Sequence, residues 1–253
     1  MKLIVFVGVA VATFVGIAEM KAASSDEIAI KRQESLKRSG GMIVKPGSAK
    51  GKIAFIDTQG TMPAADIRDV MELLARGTRF TFEYVRMKPS DDYSALRGAS
   101  KADFAVVIVD NDKISPLLIA PEDRWSVVNV GRVDRGLSTD EAKKRFLSSR
   151  RKKELLRAFS LLCGGGMSMY PGNVANATKL EDLDMLEAVL PIDMTQKYTR
   201  FLKDAGLEQK VMATYRKACV MGWAPAPTNE QQRAIMKEAL QIRADIESGK
   251  KGK

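Results

Sequence analysis

Asp110-Asn111-Asp112 puts two carboxylates one residue apart, just past the apolar run Asp103–Asp110 (DFAVVIVD). Oxygen donors at that spacing suit Mg²⁺ or Ca²⁺, and a hard ion held there would serve a hydrolase or transferase. Asp and Asn are also the ordinary residues where a strand turns. Lys143, Lys144, Arg145, Arg150, Arg151, Lys152 and Lys153 form a dense basic cluster. On a helix it wraps more than one face, so some members should meet solvent and could bind anions. The interleaved aromatics of a single-strand nucleic-acid platform are missing beside it. The chain has no histidine. A Ser-His-Asp triad, a Cys-His dyad and any His-based acid or base are therefore excluded. Neither common Gly-rich phosphate loop is present, and no cofactor is expected.

These residues need elements to hold them. Lys52–Asp57 (KIAFID) is a short run of strand formers ended by Thr58-Gln59-Gly60. Pro63 opens a helix through about Ala75, with Ala64, Ile67, Val70, Met71 and Leu74 at helical spacing. Thr78–Met87 alternates like a strand. Asp103–Asp110 is apolar throughout, as a strand buried on both faces would be. Ile114–Ala120 and Trp125–Val130 are further strand candidates, separated by Pro121. From Ser138 the pattern is helical. Ser138-Thr139-Asp140-Glu141 has capping-box form and opens a helix to about Cys163, stopped by Gly164-Gly165-Gly166. Thr178-x-x-Glu181 predicts a second capped helix through Leu190. Further helices are expected over about 193–204, 207–220 and 229–247. Strands first and helices after them predict an α/β (α+β) domain, a mixed sheet covered by helices, with a helical C-terminal extension.

Within this frame Lys152–Asp184 (KKELLRAFSLLCGGGMSMYPGNVANATKLEDLD) resembles the active-site helix and following loop of the archaemetzincin-like zinc peptidases. Those carry Lys-Glu, then His-Glu-x-x-His-x-x-Gly-x-x-His, a Cys-Val-Met turn and an acidic helix start. Lys153-Glu154 match the first pair. The zinc motif falls on Arg157, Ala158, Leu161, Gly164 and Met167, and only the glycine survives. The turn falls on Asn173-Val174-Ala175, and Leu180-Glu181-Asp182-Leu183-Asp184 fits the end. Val106–Asp112 and Trp125–Val133 resemble the family's central strand and the strand pair after it. The likeness spans about 50–205 in order of elements, with its specific residues in Lys152–Asp184. It implies a metzincin-like fold. Each zinc role is lost: Arg157 repels a cation, Leu161 has no donor atom, Ala158 removes the base and Met167 is a poor zinc ligand. The implied molecule is a degenerate pseudopeptidase, whose cleft would be lined by Arg157, Leu161 and Met167. Ser149 and Lys152 also match the Ser-x-x-Lys of penicillin-binding enzymes. The partner motifs are missing, and Arg150 and Arg151 between them suggest a charged surface.

The ends bear on location. Met1-Lys2 precede an unbroken apolar run to Ala18, followed by polar Glu19. Residues 1–18 have the form of a secretory signal peptide, with an N-terminal membrane anchor as the alternative. Export to the periplasm or the outside is expected, with a polar linker over 19–50 carrying one short helix at 26–37. The metzincin-like domain follows at 51–205 and the extension at 206–253. The formal charge is +10, so without Lys2 the mature chain carries about +9. That excess favours an acidic partner or surface, though simple solubility explains it equally. Cys163 and Cys219 could join in an oxidising compartment or stay buried thiols. The composition thus admits a non-catalytic binding or structural protein, a hard-metal enzyme at Asp110 and Asp112, or a binder of anionic polymers through 143–153.

Overall fold

The computed structural model describes residues 25–133, 137 and 139–248; the side chains of 25–28, 142, 144, 145, 246 and 247 lie outside that description. The expected signal peptide, the first residues of the linker and Ser138 also lie outside the described residues.

Five strands form the main sheet: β2 (Ile53–Asp57), β3 (Phe82–Arg86), β4 (Phe104–Val109), β5 (Leu117–Ala120) and β6 (Trp125–Asn129). Their order is β3-β2-β4-β6-β5. The first four are parallel, with Phe55 beside Val106 and Val107 beside Val127; β5 is antiparallel at the edge, Leu118 opposite Val127. Two crossing connections account for this order. β2 passes through α2 (Ala64–Thr78) to β3, and β3 through α3 (Tyr93–Ala99) to β4. Pro116 and Pro121 flank β5, and proline blunts an edge against further pairing.

β2 and β4 are buried at every position, so both faces of the sheet must be covered. Alternate residues divide the work. Ile53, Phe55, Phe104, Val106, Ile108 and Val128 join the larger core, covered by α2, by α5 (Asp140–Leu162) and by α6 (Ile192–Asp204). Ala54, Ile56, Ala105, Val107 and Val127 face the other way, onto Tyr93 and Leu96 of α3. α3 is a short helix held by its cap, Asp92, whose carboxylate accepts the Ala95 amide at 2.8 Å. The outcome is the mixed α/β sheet between helices that the sequence pattern predicts.

The first and last described parts of the chain meet. α1 (Ser25–Arg38) leads to β1 (Met42–Val44), which pairs antiparallel with β7 (Met212–Thr214). α7 (Tyr215–Val220) and α8 (Glu230–Glu247) complete this unit around Tyr215, Cys219, Ile235 and Ala239. Residues 39–50, expected as part of a tether, are pinned by the far end of the chain. The Tyr215 amide donates to the Gly41 carbonyl, the Arg216 amide to Ser39 and the Lys50 amide to Glu208.

Other departures are local. The strand expected from Thr78 begins at Phe82, because Thr78 is still helix and Arg79 turns the chain in the left-handed region, φ 63°. The helix expected over 178–190 shrinks to a 3-10 turn at Leu180–Asp184. Its continuation would need the Glu187 amide on the Leu183 carbonyl; that amide donates to Gly172 at 2.7 Å instead, and Lys153 takes the Leu183 carbonyl. The helix expected from 207 begins at Tyr215, the residues before it being held in pairing with 42–50. Among the described residues, no helix is long and apolar enough to cross a membrane.

Candidate functional site

α5 carries the residues in question. Leu155, Leu156, Ala158, Phe159 and Leu162 are buried in the larger core, which fixes how the helix is rotated. It ends in a glycine cap. Gly164 has φ +63°, and the Gly165 amide donates to the Ser160 carbonyl at 2.8 Å.

That rotation separates the zinc-motif positions. Ala158 is sealed in the core. Arg157 lies along the helix, with Nη1 at 3.3 Å from both oxygens of Glu154. Glu154 has no exposed surface, and its burial raises the carboxyl above the usual glutamate range while the Arg157 charge opposes the shift. Arg157 Nε has no hydrogen-bond partner. Leu161 is half-buried, and Met167 stands 76% exposed. A cavity of about 430 Å³ lies beyond the helix end, lined by Cys163, Gly164, Lys197, Arg200, Phe201 and Asp204 among others. Of the motif positions only Gly164 reaches it. The expected cleft lined by Arg157, Leu161 and Met167 is thus replaced by an internal ion pair, a core alanine and an outlying methionine.

Three members of the basic cluster are spent inside the fold. Arg150 is 2% exposed; its Nε and Nη2 each lie 2.6 Å from the Asp184 carboxylate, and Nη1 reaches the Val133 carbonyl at 3.3 Å. Lys152 pairs with Asp69 at 3.2 Å and Asp66 at 3.9 Å on α2. Lys153 donates to the Leu183 carbonyl at 2.7 Å, and burial draws its ammonium below the usual lysine range. These three correct the expectation of a solvated anion-binding face: they fasten α5 to its neighbours. Arg151 and Lys143 are half-buried. The side chains of Lys144 and Arg145 lie outside the described residues.

Asp110 and Asp112 are exposed in a turn. Fully buried Asn129 shapes it: Oδ1 accepts the Asn111 amide at 3.1 Å, and Nδ2 donates to the Asn111 and Ile114 carbonyls at 2.6 and 3.1 Å. Asn111 Oδ1 in turn accepts the Lys113 amide at 2.9 Å. Among the described residues no group of three His, Cys, Asp or Glu side chains is placed to hold a metal ion, so no further carboxylates converge on this pair. Here the turn-forming chemistry of Asp and Asn accounts for the motif. Cys163 and Cys219 are both buried free thiols, in separate clusters. Burial pushes the Cys163 thiol well up, away from nucleophilic use.

One buried acid escaped the sequence. Asp57 ends β2 with a fully buried side chain. Oδ1 accepts the Gly60 and Gln59 amides at 2.6 and 3.2 Å, and Oδ2 the Tyr84 hydroxyl at 3.0 Å. It lies at the carboxyl ends of the strands, where the β2 and β4 connections diverge and α/β sheets commonly hold ligands. Beside Asp57, Arg86 at the end of β3 packs over the turn: a Cβ on Gly60 would stand 1.6 Å from Arg86 Nη2. The only sequence signal was an acid closing the run KIAFID before Thr-Gln-Gly.

Fold and site together define a mixed α/β scaffold whose most distinctive helix carries structural ion pairs. No family model matches the chain, and no curated protein matches it. Among solved structures it is similar to an archaemetzincin from Methanopyrus kandleri, at 17% identity and TM-score 0.46, over 64% of this chain and 99% of that one. It is also similar to a zinc-dependent peptidase from Methanocorpusculum labreanum, at 15% identity and TM-score 0.42, over 58% of this chain and 99% of that one.

Proposed function

We propose that the chain is an exported, non-catalytic protein on a metzincin-like scaffold, with a binding or structural role. The observation that carries this is the Glu154–Arg157 pair beside buried Ala158. Zinc hydrolysis needs at least three N, S or carboxylate ligands and a base beside the metal-bound water. The corresponding face of α5 offers a guanidinium, a methyl group and an isobutyl group. Glu154, the acid on the same stretch of helix, is engaged by Arg157. The chain has no histidine elsewhere to supply the ligands. The Cys163 thiol, sealed in the core, points the same way. Export rests on the apolar run before Glu19.

Elemental analysis of the purified protein, with thermal melts under EDTA, Zn²⁺, Mg²⁺ and Ca²⁺, tests this. The expected result is no stoichiometric metal and an unchanged melting temperature. A bound ion with the stabilisation that ligand binding produces would end the proposal and direct attention to Asp110 and Asp112.

A further inference from the structure

Two exposed apolar patches stand at opposite ends of α6. At its start Met167, Met169, Tyr170, Met185, Val189 and Ile192 are exposed, Met169 and Met185 at 87% and 86%. Hydrogen bonds gather them into one surface. The Met169 amide donates to Asp193 at 2.8 Å, Asn173 Nδ2 to the Val189 carbonyl at 2.9 Å and the Tyr170 hydroxyl to Glu187 at 3.1 Å. Beyond the other end, Met42, Val44, Val211 and Met212 are exposed. The β1–β7 register sets Val44 opposite Met212 and Met42 opposite Thr214, on the outer face, while Ile43 and Ala213 turn inward. The helix between the patches spans about 20 Å at 1.5 Å per residue. Contiguous exposed apolar surface of this kind marks an interaction site, and methionine-rich surfaces adapt well to a partner.

The rims differ in charge. The first patch is bordered by Glu181, Asp182, Glu187 and Asp193, against Lys179 and Lys197. Asp182 is held below the usual carboxylate range by the Thr178 hydroxyl and by the Thr178 and Lys179 amides. The Lys197 ammonium is bound to the Met167 carbonyl at 2.8 Å. The second patch is bordered by Lys45, Lys50, Arg79 and Lys210, against Glu208. The backbone ties them together: the Lys45 amide donates to Val211, Lys210 to Arg79 and Lys50 to Glu208. On a chain of net charge +10 an acid-rimmed apolar face is the exception, and the basic-rimmed face complements it in both apolarity and charge.

We propose that a second copy of this chain is the occupant: the β1–β7 face of one copy docks on the Met167–Ile192 face of the next, head to tail. The contact is heterologous, because the two faces differ. Each docked pair still offers one free face of each kind, so assembly continues into rings or chains rather than stopping at a dimer. This does not depend on whether α5 binds metal.

Light scattering of the purified protein over a range of concentrations tests it. The average mass should rise with concentration and fall back as salt screens the rims. Met169→Ser with Met185→Ser removes one face through side chains that project into solvent, so folding is spared. Lys45→Glu with Lys210→Glu inverts the other. Each double variant alone should remain monomeric. An equimolar mixture should form a dimer and nothing larger, since each variant retains the face the other lacks. A wild-type protein that stays monomeric, variants that still associate, or a mixture that does not pair would overturn the proposal. So would binding to anionic lipid vesicles that is lost in K45E/K210E while the wild type stays monomeric, which would assign the basic-rimmed face to a lipid surface.

Discussion

Two ion pairs on α5, their arginines about two turns apart, do different work. Arg150 reaches Asp184, 34 residues away, and grips it with two nitrogens at 2.6 Å each. Arg157 turns back three residues to Glu154 on its own helix, at 3.3 Å, and leaves Nε without a partner. The first joins two elements with planar fork geometry. The second only offsets the burial of an acid the helix itself brought inside. Residue types do not distinguish them, and positions seven apart share nearly one face of the helix; what each arginine meets at its own level of α5 does.

The sharpest test removes one partner from each pair. Asp184→Ala leaves Arg150 buried with a charge it cannot lose, since a guanidinium does not deprotonate in proteins. Breaking such a pair should lower unfolding free energy by about 3–5 kcal/mol. Arg157→Ala leaves Glu154, whose carboxyl is already raised and can take up a proton, as isolated buried acids do. Its loss should be clearly smaller. Urea unfolding of both variants measures the difference, and equal losses would break the distinction.

A smaller effect is expected where α5 stops. A Cβ on Gly165 would lie 2.7 Å from the Ser160 carbonyl and 2.9 Å from the Tyr198 ring. Backbone cannot step aside, so Gly165→Ala should lose about 1–3 kcal/mol by overpacking. Gly164→Ala meets only ordinary contacts but must hold φ +63°, a strain of about 1–2 kcal/mol. Gly166 faces open space, and Gly166→Ala should stay within about 0.5 kcal/mol of wild type. Thermal melts of the three read the order directly. A Gly166 variant as damaged as the Gly165 variant would mean that the cap is packed differently.

The central strand of the mixed sheet was legible because burial on both faces leaves a short continuous apolar run: Phe104–Val109 has no polar residue to misplace. The long helix and its glycine stop were legible for the same kind of reason. What the sequence hid depends on distant partners. Lys50, Met42 and Val44 read as tether until Glu208 and β7 pair with them. α3 was passed over because Asp92 caps only seven residues, among them Ser94 and Gly98. In the candidate site, the absence of histidine and the side-chain types at Arg157, Ala158 and Leu161 could be read from single residues. The burial of Arg150 and Glu154 could not, because a run such as RRKKELLR looks solvated until Asp184 and the core claim its members.

pH gives the subtlest contrast, between buried Glu154 and surface Asp182. Burial raises the Glu154 carboxyl above its usual 4.5, and the Arg157 charge and hydrogen bond hold part of that rise back. Between the unfolded and folded values the native state keeps a proton that the unfolded chain has released. This contribution to stability is therefore complete below pH 4.5 and fades as pH rises through the folded value. Asp182 has the opposite sign. Hydrogen bonds from Thr178 and Lys179 lower it below 3.8, so its contribution is present above that pH and fades as pH falls. Urea midpoints from about pH 3 to about pH 7 should then move the two variants in opposite directions relative to wild type. Glu154→Gln has no proton to surrender and should gain on wild type as pH rises. Asp182→Asn should lie furthest below wild type near neutrality and close the gap in acid. A flat difference for Glu154→Gln would mean that the Arg157 charge offsets the burial in full, so that the acid ionises alike in the folded and unfolded chain. The distinction between the two ion pairs of α5 would then rest on geometry alone.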